Sequence, residues 1–301
     1  MKNFWRKLKK PIYALAPMAG ITDSAFRQIC KSFGADIVYS EMVSAAAIAY
    51  NSKKTFELMK FSEKERPYLV QLFGAEPEHF ALAAKIIEKK IKPDGIDINF
   101  GCPVKKVARQ GAGAKLMNDF KLARKIIEET IKNTKLPVSI KCRSREGQVD
   151  VLAFLDYMSG LDIKAVMIHG RASTQGQSGE VDWKRLKQAR PRVKGVLLAN
   201  GGVRMAEDAC VMLKRTGADG IGIGQGALGR PWIFRQLKIK NYELKINEIF
   251  EVMLKHAKLV NKLKGEQGIV ETRKHLCWYV CGLPDASSLR EKLVKVKNLE
   301  D

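Results

Sequence analysis

The sequence predicts an α/β protein: a parallel (β/α)8 TIM barrel with a small C-terminal helical domain. Three observations predict it. Eight short β-rich runs recur between Ile12 and Gly224, amphipathic stretches separate them, and several runs end in polar residues or glycine. Strand followed by helix, repeated, gives a parallel sheet, and eight repeats favour closure into a barrel.

The runs are IYALAP (12–17), DIVYSEM (36–42), YLVQLF (68–73), GIDINF (95–100), PVSIKC (137–142), AVMIHG (165–170), GVLLANG (195–201) and DGIGIG (219–224). Between them lie segments such as PEHFALAAKIIEKKI (77–91) and DFKLARKIIEETI (119–131), whose apolar residues recur every three or four positions, the helical period. Gln71, Asn99, Lys141, His169, Asn200 and Gly224 end their runs. In a barrel those ends meet on one face, where the active site forms. After Trp232 the strand pattern stops, and from about Tyr242 three helical stretches follow: 246–265, 270–283 and 285–293. The predicted division is a catalytic barrel over 1–240 and a helical domain over 241–301. About sixty residues are marginal as an independent fold, so the helices are expected to pack against the barrel.

With 54 basic and 32 acidic residues the chain carries a net charge of +22, of which +20 falls in residues 1–240 and +2 in 241–301. Such a field suits a polyanion, because neutralising phosphates releases counterions. A lysine-rich composition spread over the whole surface is the plainer reading. No run approaches the ~18 uninterrupted apolar residues of a membrane span. The basic N-terminus precedes an apolar segment, but Pro11 and Pro17 interrupt it and Asp23 soon follows, against a secretory leader. Six cysteines without a CxxC pair fit a reducing compartment, so a cytoplasmic location is expected. Cys277 and Cys281, one helical turn apart near His275, are expected to be buried apolar side chains rather than metal ligands. No metal site is expected.

The segment DINFGCPVKKVARQGAGAKLM (97–117) carries the most chemistry. A strand ending at Asn99 leads into a loop where Gly101 permits a tight backbone, Cys102 is exposed and Pro103 stiffens the approach. A cysteine between glycine and proline is by itself more often structural. Its place at a strand end, among other polar ends, makes it the catalytic candidate.

Together with APMAGITDSAFR (16–27), Lys141 and Arg143 of SIKCRSR, HGRASTQGQSGEVDW (169–183) and IGQGALGRPW (223–232), this segment resembles the tRNA-dihydrouridine synthase family, most closely its bacterial B-type subgroup. The resemblance runs from about residue 12 to RKHLCWYVCGL (273–283). It implies an enzyme that binds FMN, reduces it with NADPH, and passes a hydride to C6 of a uracil in tRNA while a cysteine protonates C5. Cys102 takes that cysteine's place. A thiol is ordinarily protonated at neutral pH, as a proton donor must be, and this loop holds no histidine to make it a nucleophile.

For the flavin the resemblance implies contacts from Pro17, Met18, Ala19, Gln71, Lys141 and His169, with Lys141 as a cation near the N1 and O2 edge. Asn200, Gly201 and Gly202 follow the seventh strand and Gly224 and Gln225 the eighth, where barrels commonly hold a phosphate. Two positions depart from the family pattern. Gly202 stands where an acid is common, and Gln225 where an arginine usually contacts the phosphate, so weaker FMN binding is expected. For RNA the candidates are Asn99 at its strand end and Lys105, Lys106, Arg109, Arg143, Arg145 and Arg171, the six basic residues expected on loops at the catalytic face. Asp23 reads most simply as a helix N-cap and Phe26 as core. The substrate is expected to be tRNA or, second, ribosomal RNA, with the protein a monomer. A small-molecule pyrimidine or dihydroorotate-type oxidoreductase and a flavin-free RNA-binding protein are the alternatives from other classes.

Overall fold

Side chains alternate faces along a strand, so a two-residue step decides what each strand sends into the barrel and what it sends toward the helices. In this computed structural model, which describes residues 3–239 and 241–301, the strands are β1 (Ile12–Leu15), β2 (Ile37–Ser44), β3 (Tyr68–Phe73), β4 (Gly95–Phe100), β5 (Val138–Arg143), β6 (Ala165–His169), β7 (Val196–Asn200) and β8 (Gly220–Ile223). All eight pair in parallel, and β1 pairs with β8 to close the barrel. The eight predicted runs are the eight barrel strands. A two-residue ribbon, Arg145–Glu146 with Val149–Asp150, follows β5 and was not predicted.

Ile12, Ala14, Ile37, Tyr39, Leu69, Ala165, Met167, Val196 and Leu198 form the barrel's inner apolar cluster. Their strand neighbours Tyr13, Leu15, Val38, Val70, Val166, Ile168 and Leu197 belong to the outer cluster under the helices. Trp5, only 3% exposed, joins the inner cluster from a short turn at Phe4–Lys7. The basic N-terminal segment thus supplies a plug for the end where the strands begin.

The long helical run Ile246–Tyr279 breaks at Gly265 (φ 64°, ψ −155°). His256 Nδ1 lies 3.2 Å from the Tyr279 hydroxyl although 23 residues separate them, so the two halves lie side by side as a hairpin. The hairpin packs on the barrel helix Ser24–Ser32, as expected of a piece too small to stand alone. His256 and His275 lie 5.8 and 4.7 Å from the Phe26 ring, and Lys264 reaches Asp23 at 2.8 Å. Asp23 also accepts from the Phe26 N–H and caps its helix, and Phe26 is fully buried. Arg27, next on that helix, pairs with buried Glu65 at 2.5 Å and donates to the carbonyls of Thr22 and Lys60. Breaking such a satisfied buried pair from one side typically costs about 3–5 kcal/mol.

One expectation fails here. Cys277 is half-buried and Cys281 exposed. Leu276, Tyr279 and Val280 occupy the buried face of this helix, which leaves the two cysteines on other faces. Among the described residues no cluster of three metal-ligating side chains occurs, and no helix is long and apolar enough to cross a membrane.

Candidate active site

Two residues further along each strand, the inner column turns polar. Gln71, Asp97 and Ser139 come first, followed by Asn99, Lys141, Arg143, His169 and Asn200 at the mouth. The parallel register sets Asn99 beside Lys141, Arg143 beside His169, and His169 beside Asn200. Gln71, Asn99, Lys141, Arg143, His169 and Asn200 line one cavity of about 490 Å³ together with Pro17, Met18, Ala19, Cys102, Arg171, Gly201, Gly202, Gly224 and Gln225, and Asp97 and Ser139 lie beneath it. That volume falls in the ordinary range for cofactor sites.

Cys102 reaches the cavity on a loop held by an oriented chain of side chains. Ser139 donates to Asp97 at 2.6 Å, and the Gln71 amide donates to the other Asp97 oxygen at 2.7 Å. The Gln71 carbonyl accepts from Asn99 at 2.9 Å, and the Asn99 carbonyl accepts the backbone N–H of Gly101 at 3.0 Å and of Cys102 at 2.9 Å. Each acceptor is fixed by the donor before it, so the carboxylate sets the direction of both amides. Burial pushes the Asp97 carboxyl up to about 6 against its two hydrogen bonds.

Lys141 lies at the same level, and burial, then the Arg143 guanidinium, bring its ammonium down to about 8. Among the described residues it has no hydrogen-bond or ion-pair partner, so it is a cation left for an anionic ligand. His169 is driven down to about 2 by burial and then by Lys141, Arg143 and Arg171, so the ring is neutral at physiological pH. The Arg171 N–H lies 3.2 Å and Arg143 Nη1 3.4 Å from His169 Nδ1, and both are donors. The ring proton therefore belongs on Nε2, an assignment made from the hydrogen-bond network. Gly201 has φ +101°, and a Cβ there would come within 2.9 Å of the His169 ring.

Residues 14–301 match the family model described as dihydrouridine synthase (Dus). The chain belongs to the dihydrouridine synthase family. Over 298 residues it is 33% identical to a probable tRNA-dihydrouridine synthase of Aquifex aeolicus, covering 97% of this chain and 94% of that one. A Rickettsia conorii protein of the same description is 37% identical over 291 residues, with 92% and 86% covered. Among solved structures, TcOYE with pHBA superposes with a TM-score of 0.56 at 11% identity, covering 77% of this chain and 90% of that one. A variant of NCR from Zymomonas mobilis gives 0.55 at 16%, with 78% and 88% covered. These two show the fold alone, and Dus membership makes the chain a flavin-dependent oxidoreductase.

The remaining Dus site residues are placed unevenly. Lys105, Lys106, Arg109 and Arg145 are exposed and do not line the cavity. Lys105 and Lys106 start the short helix after Cys102, and Arg145 lies on the ribbon after β5. Arg143 departs from the loop position expected of it. It is the last residue of β5, 7% exposed, and its guanidinium donates to the Gly101 carbonyl at 3.1 Å and the Gly176 carbonyl at 2.6 Å. It braces the Cys102 loop against the loop after β6. Asn200 donates to the Gly222 carbonyl at 2.7 Å, and exposed Gln225 bonds Gln177. Arg171 bonds the Gly179 carbonyl at 2.7 Å, and one of its terminal nitrogens lies 3.8 Å from where a Gly202 Cβ would sit. Sequence reasoning missed Ile21, Met42, Leu228 and Trp278, all of which line the cavity. Alternation from Ile37 and Tyr39 would have sent residue 41 inward, and only the register break between Tyr39 and Met42 brings Met42 there, while no local signal could place Trp278 in the cavity.

Proposed function

We propose that this Dus enzyme reduces a uridine of tRNA to 5,6-dihydrouridine, with FMN as its flavin, NADPH as the reductant and Cys102 as the proton donor. The observation that carries the reading is Cys102 tethered by Asn99 in the same cavity that holds the unpartnered Lys141. FMN held there would supply the hydride for C6 of the uracil, with NADPH as the reductant. The residues present fit that cofactor. Lys141 offers an uncompensated positive charge, neutral His169 offers an N–H, and Gly201 and Gly202 line the cavity at the end of β7, where barrels commonly hold a phosphate. Gln71 keeps one amide hydrogen free after serving Asp97, which suits a contact to the ring's polar edge.

Cys102 holds its proton on the cavity side and delivers it to C5 of the uracil. The Asn99 carbonyl fixes the loop so that the thiol does not swing away, and Arg143 pins the same loop from β5. Lys105, Lys106, Arg109, Arg145 and Arg171 supply positive charge toward the phosphates of an RNA whose target base has left its stack. On this reading residues 1–240 form the FMN-binding catalytic domain and 241–301 a helical RNA-binding domain. The protein acts as a cytoplasmic monomer.

Purified protein given FMN, NADPH and unmodified tRNA is expected to produce dihydrouridine at a defined position, read by mass spectrometry. Absence of product, or equal turnover of free uracil or orotate, contradicts the proposal. Gln225→Arg is expected to tighten FMN binding more than threefold in equilibrium titration of the apoprotein, because a guanidinium would face the phosphate in place of an amide. A smaller gain argues that the backbone N–H groups already suffice.

A further inference from the structure

We infer that Trp278 is a base-stacking residue, a rigid platform in the catalytic cavity for a nucleobase of the RNA strand that carries the target uridine. The inference rests on the RNA reading above and adds a residue to it. Among the described residues Trp278 is the one lining residue of the cavity that comes from beyond position 240, so the helical hairpin builds part of the catalytic chamber.

Its position is fixed from several sides. The His275 ring, one turn earlier, meets the indole edge-on at 5.1 Å between centroids, and His275 itself packs against Phe26. Lys274 bonds the Gly20 carbonyl and ties the same helix to the loop after β1. Gly229 has φ +67°, and a Cβ there would lie 2.2 Å from the Trp278 carbonyl oxygen, so the loop after β8 packs directly on this residue's backbone. The neighbouring aromatic side chains Phe26, His256, His275 and Tyr279 are buried, whereas Trp278 stays half-buried in the cavity.

A large, flat, immobilised apolar surface left open in a cavity is unfavourable unless a ligand covers it. Every nucleobase has a π-face, and aromatic platforms hold unstacked bases without needing a particular sequence. The chemistry of the site points the same way. Ile21 and Leu228 accompany Trp278 as apolar lining of the cavity, a surface that suits the flat face of a base.

The test is fluorescence-anisotropy titration of labelled tRNA with the holoenzyme and its Trp278→Ala, Trp278→Leu and Trp278→Phe variants. Flavin content and thermal midpoint report folding. Trp278→Ala and Trp278→Leu are expected to weaken tRNA binding about tenfold or more, the usual cost of one lost stack, while Trp278→Phe stays within about threefold of the parent. Leucine fills the space but cannot stack, so Trp278→Leu binding as tightly as the parent overturns the inference and leaves the indole as mere wall. Unchanged binding by Trp278→Ala overturns it too. If the parent itself fails to bind tRNA, the RNA reading falls and this one with it. Should the alanine variant lose flavin or melt early, the leucine-to-phenylalanine comparison decides.

Discussion

Asp97 shows how one buried group fixes a reactive one several bonds away. Its carboxylate orients Gln71, Gln71 orients Asn99, and Asn99 receives the Cys102 N–H, so the thiol inherits its place from a residue that need not touch substrate. The buried histidines have a consequence for stability. Burial holds His256 at about 4, His275 at about 3 and His169 at about 2, all below the ordinary value near 6.5. The unfolded chain therefore takes up protons below pH 6.5 that the native state refuses, and stability falls as pH falls. Asp97, raised to about 6, acts in the opposite sense between about pH 4 and 6, but one carboxyl does not outweigh three histidines. Denaturant unfolding at pH 4.5, 5.5 and 7.0 is expected to show a loss on the order of 1–3 kcal/mol per pH unit on acidification. A flat or rising profile contradicts the burial of these rings. At this scale the sequence revealed the strand-end residues, because a polar residue closing an apolar run is conspicuous. It hid the burial of Arg143, whose charge suggests a surface, and the partnership of His256 with Tyr279, which depends on a reversal of the chain at Gly265.

The loop after β4 is the element on which the chemistry turns. Gly113 has φ +66°, and a Cβ there would come within 2.6 Å of the Cys102 carbonyl oxygen and 3.3 Å of its Cβ. Gly113→Ala is expected to cost about 1–3 kcal/mol of stability and to slow product formation more than flavin reduction, because the clash displaces the cysteine loop. Thermal melts and the two half-reactions measured separately check this, and equal slowing of both points to general unfolding. The strands were legible because each apolar run is short, bounded and followed by a helical period. The register break between Tyr39 and Met42 was not, since a bulge inserts a residue without changing composition. Nor was the role of Trp5, which as a lone tryptophan in a basic segment carries no period at all.

For the molecule as a whole, the charge of +22 is what the proposed RNA substrate would meet. RNA affinity is expected to fall a hundredfold or more between 50 and 200 mM salt if about six cations meet phosphates. Substituting Lys105, Lys106 and Arg109 together by alanine is expected to lower the slope of log affinity against log salt by about two. An unchanged slope places the phosphate track elsewhere. The hairpin's attachment was foreseeable from its small size, but its entry into the cavity through Trp278 was not, because contacts between distant segments leave no trace in local pattern. The central claim is that a thiol at position 102 protonates a uracil in the flavin cavity. Its most direct test is stopped-flow kinetics of Cys102→Ala. The flavin is expected to stay bound and to be reduced by NADPH at close to the parent rate, while its reoxidation by tRNA slows at least a hundredfold. Reoxidation at the parent rate, or equal slowing of both half-reactions, contradicts the claim.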